Sequence, residues 1–368
     1  MGQPFLALAG LSFVCADKGW MGNQQVTLLS VNNGTSETER DITFKFDNYL
    51  NQIVIHKKKI NKRFLEWFIG FTEGKGCFIV LNNKVYFDIS VDIKDIQVLY
   101  YIKKGLGFGK IKINKDHSSC SDHYYPHSES ASFYVTNFSN FYRLVTLFNG
   151  NLCTVSKKEE FKTWLKIFND QYSSTLAEEI TVAQDRVIKP SLTNGWLSGY
   201  IDALGSFTGR IENSSRMNFR YLPLATGIYR NLSPAFSPTN RRSGKELNSR
   251  IPYLTFYIAP PQKEFYILNA ISEILNIRSS ALKYVKLDSN LGLNITPRSE
   301  ELLVLSISTL NKLKIIINYL KRYPLKTNKS LAFTKWCKIY NIILNKEHLN
   351  EIGLNKIHSL TKEMNKHL

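Results

Sequence analysis

Residues 67–78 read WFIGFTEGKGCF, and residues 196–207 read WLSGYIDALGSF. Each phrase has a Trp, a Gly three residues on, an acid, a second Gly and a closing Phe. A helix-interior Gly costs about 1 kcal/mol relative to Ala, so a helix that keeps small residues must use them. The first phrase places Gly70 and Gly74 four residues apart, and the second places Gly199 and Ala203 at the same spacing. Such a stripe lets two backbones approach closely, which predicts two helices packed on one another at the seam of a duplicated protein.

The surrounding sequence repeats in the same order. From Lys62 a helical spacing leads into CFIVL, KVYFDISVDI, a helical IQVLYYIKKGLG, GKIKIN, SASFYVTN and a helical NFYRLVTLF. From Leu192 the order restarts with SFTGRIE, IPYLTFYIA, KEFYILNAISEIL, ALKYVKL, LLVLSIST and LNKLKIIINYLKRY. Both halves close on a matching tag, TVSKKEEFKTW and TNKSLAFTKW. The pattern predicts an α/β (α+β) fold made of a duplicated αββαββα unit with two antiparallel sheets. The expected divisions are an extension over 1–61, a first domain over 62–170, a linker over 171–190 and a second domain over 191–368. Residues 214–250, rich in Ser, Asn, Arg and Pro, read as an inserted surface loop. LAGL at 8–11 lacks the acid, Gly and Phe of the later phrases and reads as local packing.

The strands predict two-faced sheets. In KVYFDISVDI, Lys84, Tyr86, Asp88, Ser90 and Asp92 alternate with Val85, Phe87, Ile89, Val91 and Ile93. Lys110, Lys112 and Asn114 extend the polar face, as do Tyr134 and Thr136, and Ser206, Thr208 and Arg210 provide its counterpart in the second half. The formal charge is +18, from 48 basic and 30 acidic residues, and a polyanionic partner follows from that excess. Two polar faces side by side suit a DNA groove, as in β-ribbon readers.

The remaining features exclude several classes. Cys15, Cys77, Cys120, Cys153 and Cys337 are scattered and odd in number, against a secreted disulfide framework. The early apolar run FLALAGLSFVCA is shorter than the roughly 20 residues that span a bilayer, so no membrane partner is expected. His117, Cys120, His123 and His127 have spacings a zinc ion could use, but they fall in a loop between strands. GFTEGKG has neither the glycine spacing nor the hydroxyl residue of a phosphate-binding P-loop.

The two phrases, the strand order and the tags resemble the LAGLIDADG homing endonucleases, and HLNEIGLNKIHSLTKEMN is similar to the fungal mitochondrial, intron-encoded members. The resemblance runs from about Arg63 to the C-terminus. It implies a monomer whose signature helices pack together and whose sheets straddle double-stranded DNA. It also implies mitochondrial location, a role in intron homing, and Mg²⁺ bound by one acid at the foot of each signature helix. Those acids map onto Lys75 and Leu204, and neither supplies a carboxylate. A lysine charge about 4 Å from a divalent cation is unfavourable by about 8 kcal/mol at an effective dielectric of 20. Glu73 and Asp202 match the earlier acidic position and are the fallback ligands, although they lie about 200° around the helix. Lys157, Lys158, Lys326 and Lys329 in the tags are candidate supports near the scissile phosphates. The expected activity is site-specific DNA binding with cleavage lost or weak. The alternatives are a maturase acting on group I intron RNA and a non-cutting DNA-binding remnant.

Overall fold

The structure, a computed structural model, describes residues 43–52, 60–114, 129–183, 187–213, 250–260, 264–277, 281–286 and 301–364. The candidate zinc residues, the LAGL segment and most of the 214–250 insertion lie outside the described residues.

After a short helix α1 (Asp47–Leu50), the first half comprises α2 (Lys62–Lys75), β1 (Gly76–Leu81), β2 (Lys84–Asp92), α3 (Ile96–Leu106), β3 (Lys110–Asn114), β4 (Ser130–Val135), α4 (Phe138–Phe148) and α5 (Val155–Gln171). The second half comprises α6 (Trp196–Leu204), β5 (Gly205–Asn213), β6 (Arg250–Ile258), α7 (Phe265–Ile274), β7 (Leu282–Lys286), β8 (Glu301–Ile307), α8 (Leu310–Arg322) and α9 (Lys329–Leu344). A further helix, α10 (Glu351–Met364), packs on α9 and β5. The sheets have orders β1-β2-β4-β3 and β5-β6-β8-β7, with antiparallel pairing throughout. The duplicated αββαββα fold with two antiparallel sheets is therefore present.

Each signature helix runs into its strand without a loop, and the second glycine of the phrase makes this possible. Gly76 and Gly205 leave the helical region for extended backbone, with ψ of 153° and 155°. A Cβ on Gly76 would lie 2.5 Å from Thr72 Cγ2, and one on Gly205 2.7 Å from Ile201 Cγ2. The apolar sheet faces then carry the core. Phe78, Phe87, Phe148, Phe161 and Trp164 form one aromatic cluster, and Phe207, Phe256, Phe333 and Trp336 form its counterpart. Trp164 Nε1 donates to Tyr86 O at 2.8 Å, and Trp336 Nε1 to Thr208 O at 3.1 Å. The closing Trp of each tag thus fastens its own helix, α5 or α9, to a strand.

Two boundaries differ from the sequence reading. The helix expected near Leu192 begins at Trp196, because Gly195 takes the N-cap and Tyr319 and Tyr323 hold the preceding turn through the carbonyls of Asn194 and Thr193. Within the 1–61 extension, residues 43–52 contribute to the first half's core. Phe44, Phe46 and Tyr49 are buried, and Asn151 brackets Lys45 by accepting from its N–H at 2.9 Å and donating to its carbonyl at 2.7 Å. Three buried aromatics outweigh the polar composition of the preceding segment.

The seam between the halves is a contact of backbones. A Cβ on Gly70 would stand 2.0 Å from Trp196 O, and one on Gly199 would stand 1.9 Å from Trp67 O. Farther down, a Cβ on Gly74 would meet Ala203 Cβ at 2.4 Å and Leu204 Cγ at 2.9 Å. Backbone carbonyls cannot step aside as side chains can. Gly70→Ala and Gly199→Ala should each lower the unfolding free energy by about 3 kcal/mol, the upper part of the overpacking range. Gly209→Ala, where a Cβ meets nothing closer than 3.4 Å, should stay within about 0.5 kcal/mol in the same urea titrations.

Candidate functional site at the feet of the paired helices

The acid in the middle of each phrase is a structural anchor with every oxygen engaged. Glu73 Oε1 accepts from Cys153 N at 2.5 Å, Thr154 N at 2.7 Å and Thr154 Oγ1 at 3.1 Å, which fixes the entry to α5. Its Oε2 accepts from the Trp196 indole of the other half. Asp202 repeats the arrangement. Its Oδ1 accepts from Thr327 N at 3.1 Å and Thr327 Oγ1 at 2.6 Å, and its Oδ2 accepts from Lys326 N and the Trp67 indole at 2.7 and 2.8 Å. Burial pushes Glu73 up to about 7 and raises Asp202, while the donated hydrogen bonds pull both back toward the ionised form.

A second pair of carboxylates crosses the seam. Asp95, the N-cap of α3, accepts from Asn328 N at 2.8 Å, and Glu264, the N-cap of α7, accepts from Ser156 N at 3.0 Å. The N-terminus of each tag helix is therefore held by an acid of its own half and by one of the other half. Sequence reading missed Asp95 and Glu264. Their available signal was an acid immediately before an apolar-periodic run, which marks a helix start.

Lys75 and Leu204 end their helices beside one another, brought together by the Gly74 contact with Ala203 and Leu204. Burial pushes Lys75 down to about 8, against the upward pull of Asp95, Asp92 and Cys77. Lys329 is likewise pushed down to about 8 by burial and by the Lys75 charge, with Asp202 and Asp95 opposing. The Lys329 Nζ donates to Ala203 O at 3.2 Å. Lys326 lies 5.6 Å from the Tyr101 ring centre, and Lys157 pairs with Glu160 at 2.6 Å. Lys158 lies in the first turn of α5.

The residues at the feet do not fit Mg²⁺. A hard octahedral cation takes carboxylate oxygens, but here the positions hold an ammonium and an isobutyl group, and Glu73 and Asp202 have no unengaged oxygen. Among the described residues no three His, Cys, Asp or Glu side chains group to hold a metal ion.

Register places the predicted binding residues on the polar sheet faces. Asp88 stands opposite Cys77 and Tyr134, Tyr134 opposite Lys110, and Ser132 opposite Ser90 and Lys112. Lys84, Tyr86, Lys110, Lys112 and Thr136 are exposed, Tyr134 and Asn114 half-buried. Ser90 is enclosed, bonding Ser132 Oγ and Asp88 Oδ2 at 2.7 Å each, while Asn114 donates to Ser132 at 2.9 Å. In the second sheet Ser206 and Thr208 face Tyr257 and Thr255 and are buried, so they are less accessible than alternation alone predicts. Arg210 is half-buried, 5.5 Å from the Tyr253 ring centre.

Comparison with known proteins agrees with this geometry. The family model described as LAGLIDADG endonuclease matches residues 68–168 and 197–340, and the chain belongs to that family. "Probable intron-encoded endonuclease 4" of Neurospora crassa is 31% identical over 82% of this chain, which spans 44% of that relative's length. "Uncharacterized cox1 intron-2 37.2 kDa protein" of Schizosaccharomyces pombe is 27% identical over 91% of this chain and 84% of its own. The LAGLIDADG meganuclease I-AabMI, solved bound to uncleaved DNA, has the same fold with a TM-score of 0.56 at 17% identity, covering 82% of this chain and 99% of that one.

The anchors can be tested without ligand. Glu73→Gln and Asp202→Asn each turn one accepting oxygen into a donor facing other donors. Each should cost about 1–3 kcal/mol in chemical denaturation, the penalty for stranded buried polar groups.

Proposed function

We propose that the chain is a monomeric, intron-encoded DNA-binding member of its family that recognises a specific duplex and has lost, or nearly lost, metal-dependent cleavage. The observation that carries this reading is the pair Lys75 and Leu204 at the feet of an otherwise complete helix seam. Binding draws on the polar sheet faces, where Lys84, Lys110 and Lys112 stand exposed for phosphates and Tyr86 and Tyr134 share the face with them. The +18 charge supports a polyanionic partner. The intron-encoded fungal relatives support a mitochondrial setting. Among the described residues no helix is long and apolar enough to cross a membrane.

The second reading is a maturase bound to group I intron RNA, and the missing carboxylates favour it equally because splicing assistance needs none. Competition between the exon-junction duplex and the folded intron separates the two.

Duplex affinity should fall with salt at a slope of about 0.9 per phosphate neutralised, and Lys110→Ala with Lys112→Ala should make that slope shallower. On a plasmid carrying the junction, the unmodified chain should give no linear product above its EDTA control. Lys75→Asp with Leu204→Glu should raise Mg²⁺-dependent cutting, and Leu204→Glu alone should give nicking at most. Efficient linearisation by the unmodified chain would overturn the reading of a disabled centre.

A further inference from the structure

The turn that ends α4 holds two separate segments of chain on three consecutive residues. Asn151 accepts from Lys45 N at 2.9 Å, and donates to Lys45 O at 2.7 Å and to Leu147 O at 2.8 Å. Asn149 donates to Thr181 O at 2.9 Å and accepts from Ala183 N at 2.8 Å. Gly150 between them has a φ of 78°, in the left-handed region, and a Cβ there would stand 3.0 Å from Ala183 Cβ. One asparagine therefore grips the N-terminal arm over 43–52, and the other grips the segment that joins the halves.

Each segment has a second anchorage away from the turn. Tyr49 is fully buried as α1 packs on α4, with the Arg143 guanidinium 5.8 Å from its ring centre and 4.5 Å from that of Phe108. Phe44 and Phe46, stacked with centroids 6.1 Å apart, are buried as well. On the other side, Asn169 of α5 donates to Ile180 O at 2.9 Å and accepts from Ile180 N at 3.3 Å. Either segment can thus be loosened by a change that leaves the turn's own residues in place. Asn151 is 1% exposed, so lifting the arm leaves its carboxamide with Leu147 O alone and strands the rest of its polar capacity. The turn that aims Asn149 at the joining segment then has less to hold it.

We propose that residues 43–52 form a strap whose seating on α4 is coupled, through Asn149, Gly150 and Asn151, to the grip on the segment that leads toward α6. The arm passes its state to the chain that joins the halves. Coupling of this kind is reciprocal: loosening the joining segment loosens the arm by the same free energy. It holds whatever the protein binds.

The test is hydrogen exchange of the full chain, read by mass spectrometry with fragmentation that resolves Lys45 and Ala183, whose amides both bond to the turn. Tyr49→Ala should speed exchange at Lys45 and also, by about tenfold, at Ala183, a factor within the usual range for coupled sites. Asn169→Ala should speed exchange at Ala183 and also at Lys45. Amides of β2 report global opening and should keep their wild-type rates. Where they do not, Phe46→Leu replaces Tyr49→Ala, since it keeps an apolar side chain in the arm's contact with the core. Faster exchange at Lys45 with Ala183 unchanged overturns the proposal, as does faster exchange at Ala183 in Asn169→Ala with Lys45 unchanged.

Discussion

The approach of two backbones at Gly70 and Gly199 constrains everything else in this molecule. Each glycine receives the other helix's tryptophan carbonyl where a side chain would stand. Once the helices are that close, both tryptophans are carried across the seam, and each indole reaches an acid in the opposite half. Those acids organise the entry to α5 and the approach to α9, and the tag tryptophans in turn hold strands. Helix contact, capping and sheet position are thus links in one chain of hydrogen bonds, repeated about the seam.

The same chain explains which positions the scaffold constrains most tightly. Glu73 and Asp202 each satisfy several buried donors, so replacing either strands all of them at once. Lys75 and Leu204 sit two residues farther along their helices, where neither side chain is a carboxylate. Residues other than carboxylates stand at both positions without loosening the helix seam. The lysine is accommodated because Asp92 and Asp95 lie near it and the helix end tolerates a cation.

Much of this was legible in the residues. The repeated phrase exposed the duplication, and strict alternation in KVYFDISVDI separated the two sheet faces. What escaped depended on distance along the chain. Asp95 and Glu264 act on tags more than a hundred residues away, and nothing local to IKD or to the start of FYIL reveals that partner. Alternation also cannot report how deeply a face is enclosed, so Ser90, Ser206 and Thr208 are less accessible than it predicts. The core role of Phe44, Phe46 and Tyr49 was masked by the polar sequence just before them.

The connection between the halves has a consequence for their association. It is fastened to the first half by two asparagines: Asn169 donates to Ile180 O at 2.9 Å, and Asn149 both donates to Thr181 O at 2.9 Å and accepts from Ala183 N at 2.8 Å. Pinning these residues shortens the stretch of chain between the first half and α6. Short tethers hold linked partners at effective concentrations of the order of millimolar, so the second half meets the first as an intramolecular neighbour. Lengthening the tether without pinning it would dilute that encounter, and a seam that tolerates no side chain at its glycines would then have to be found by search rather than delivered by the chain.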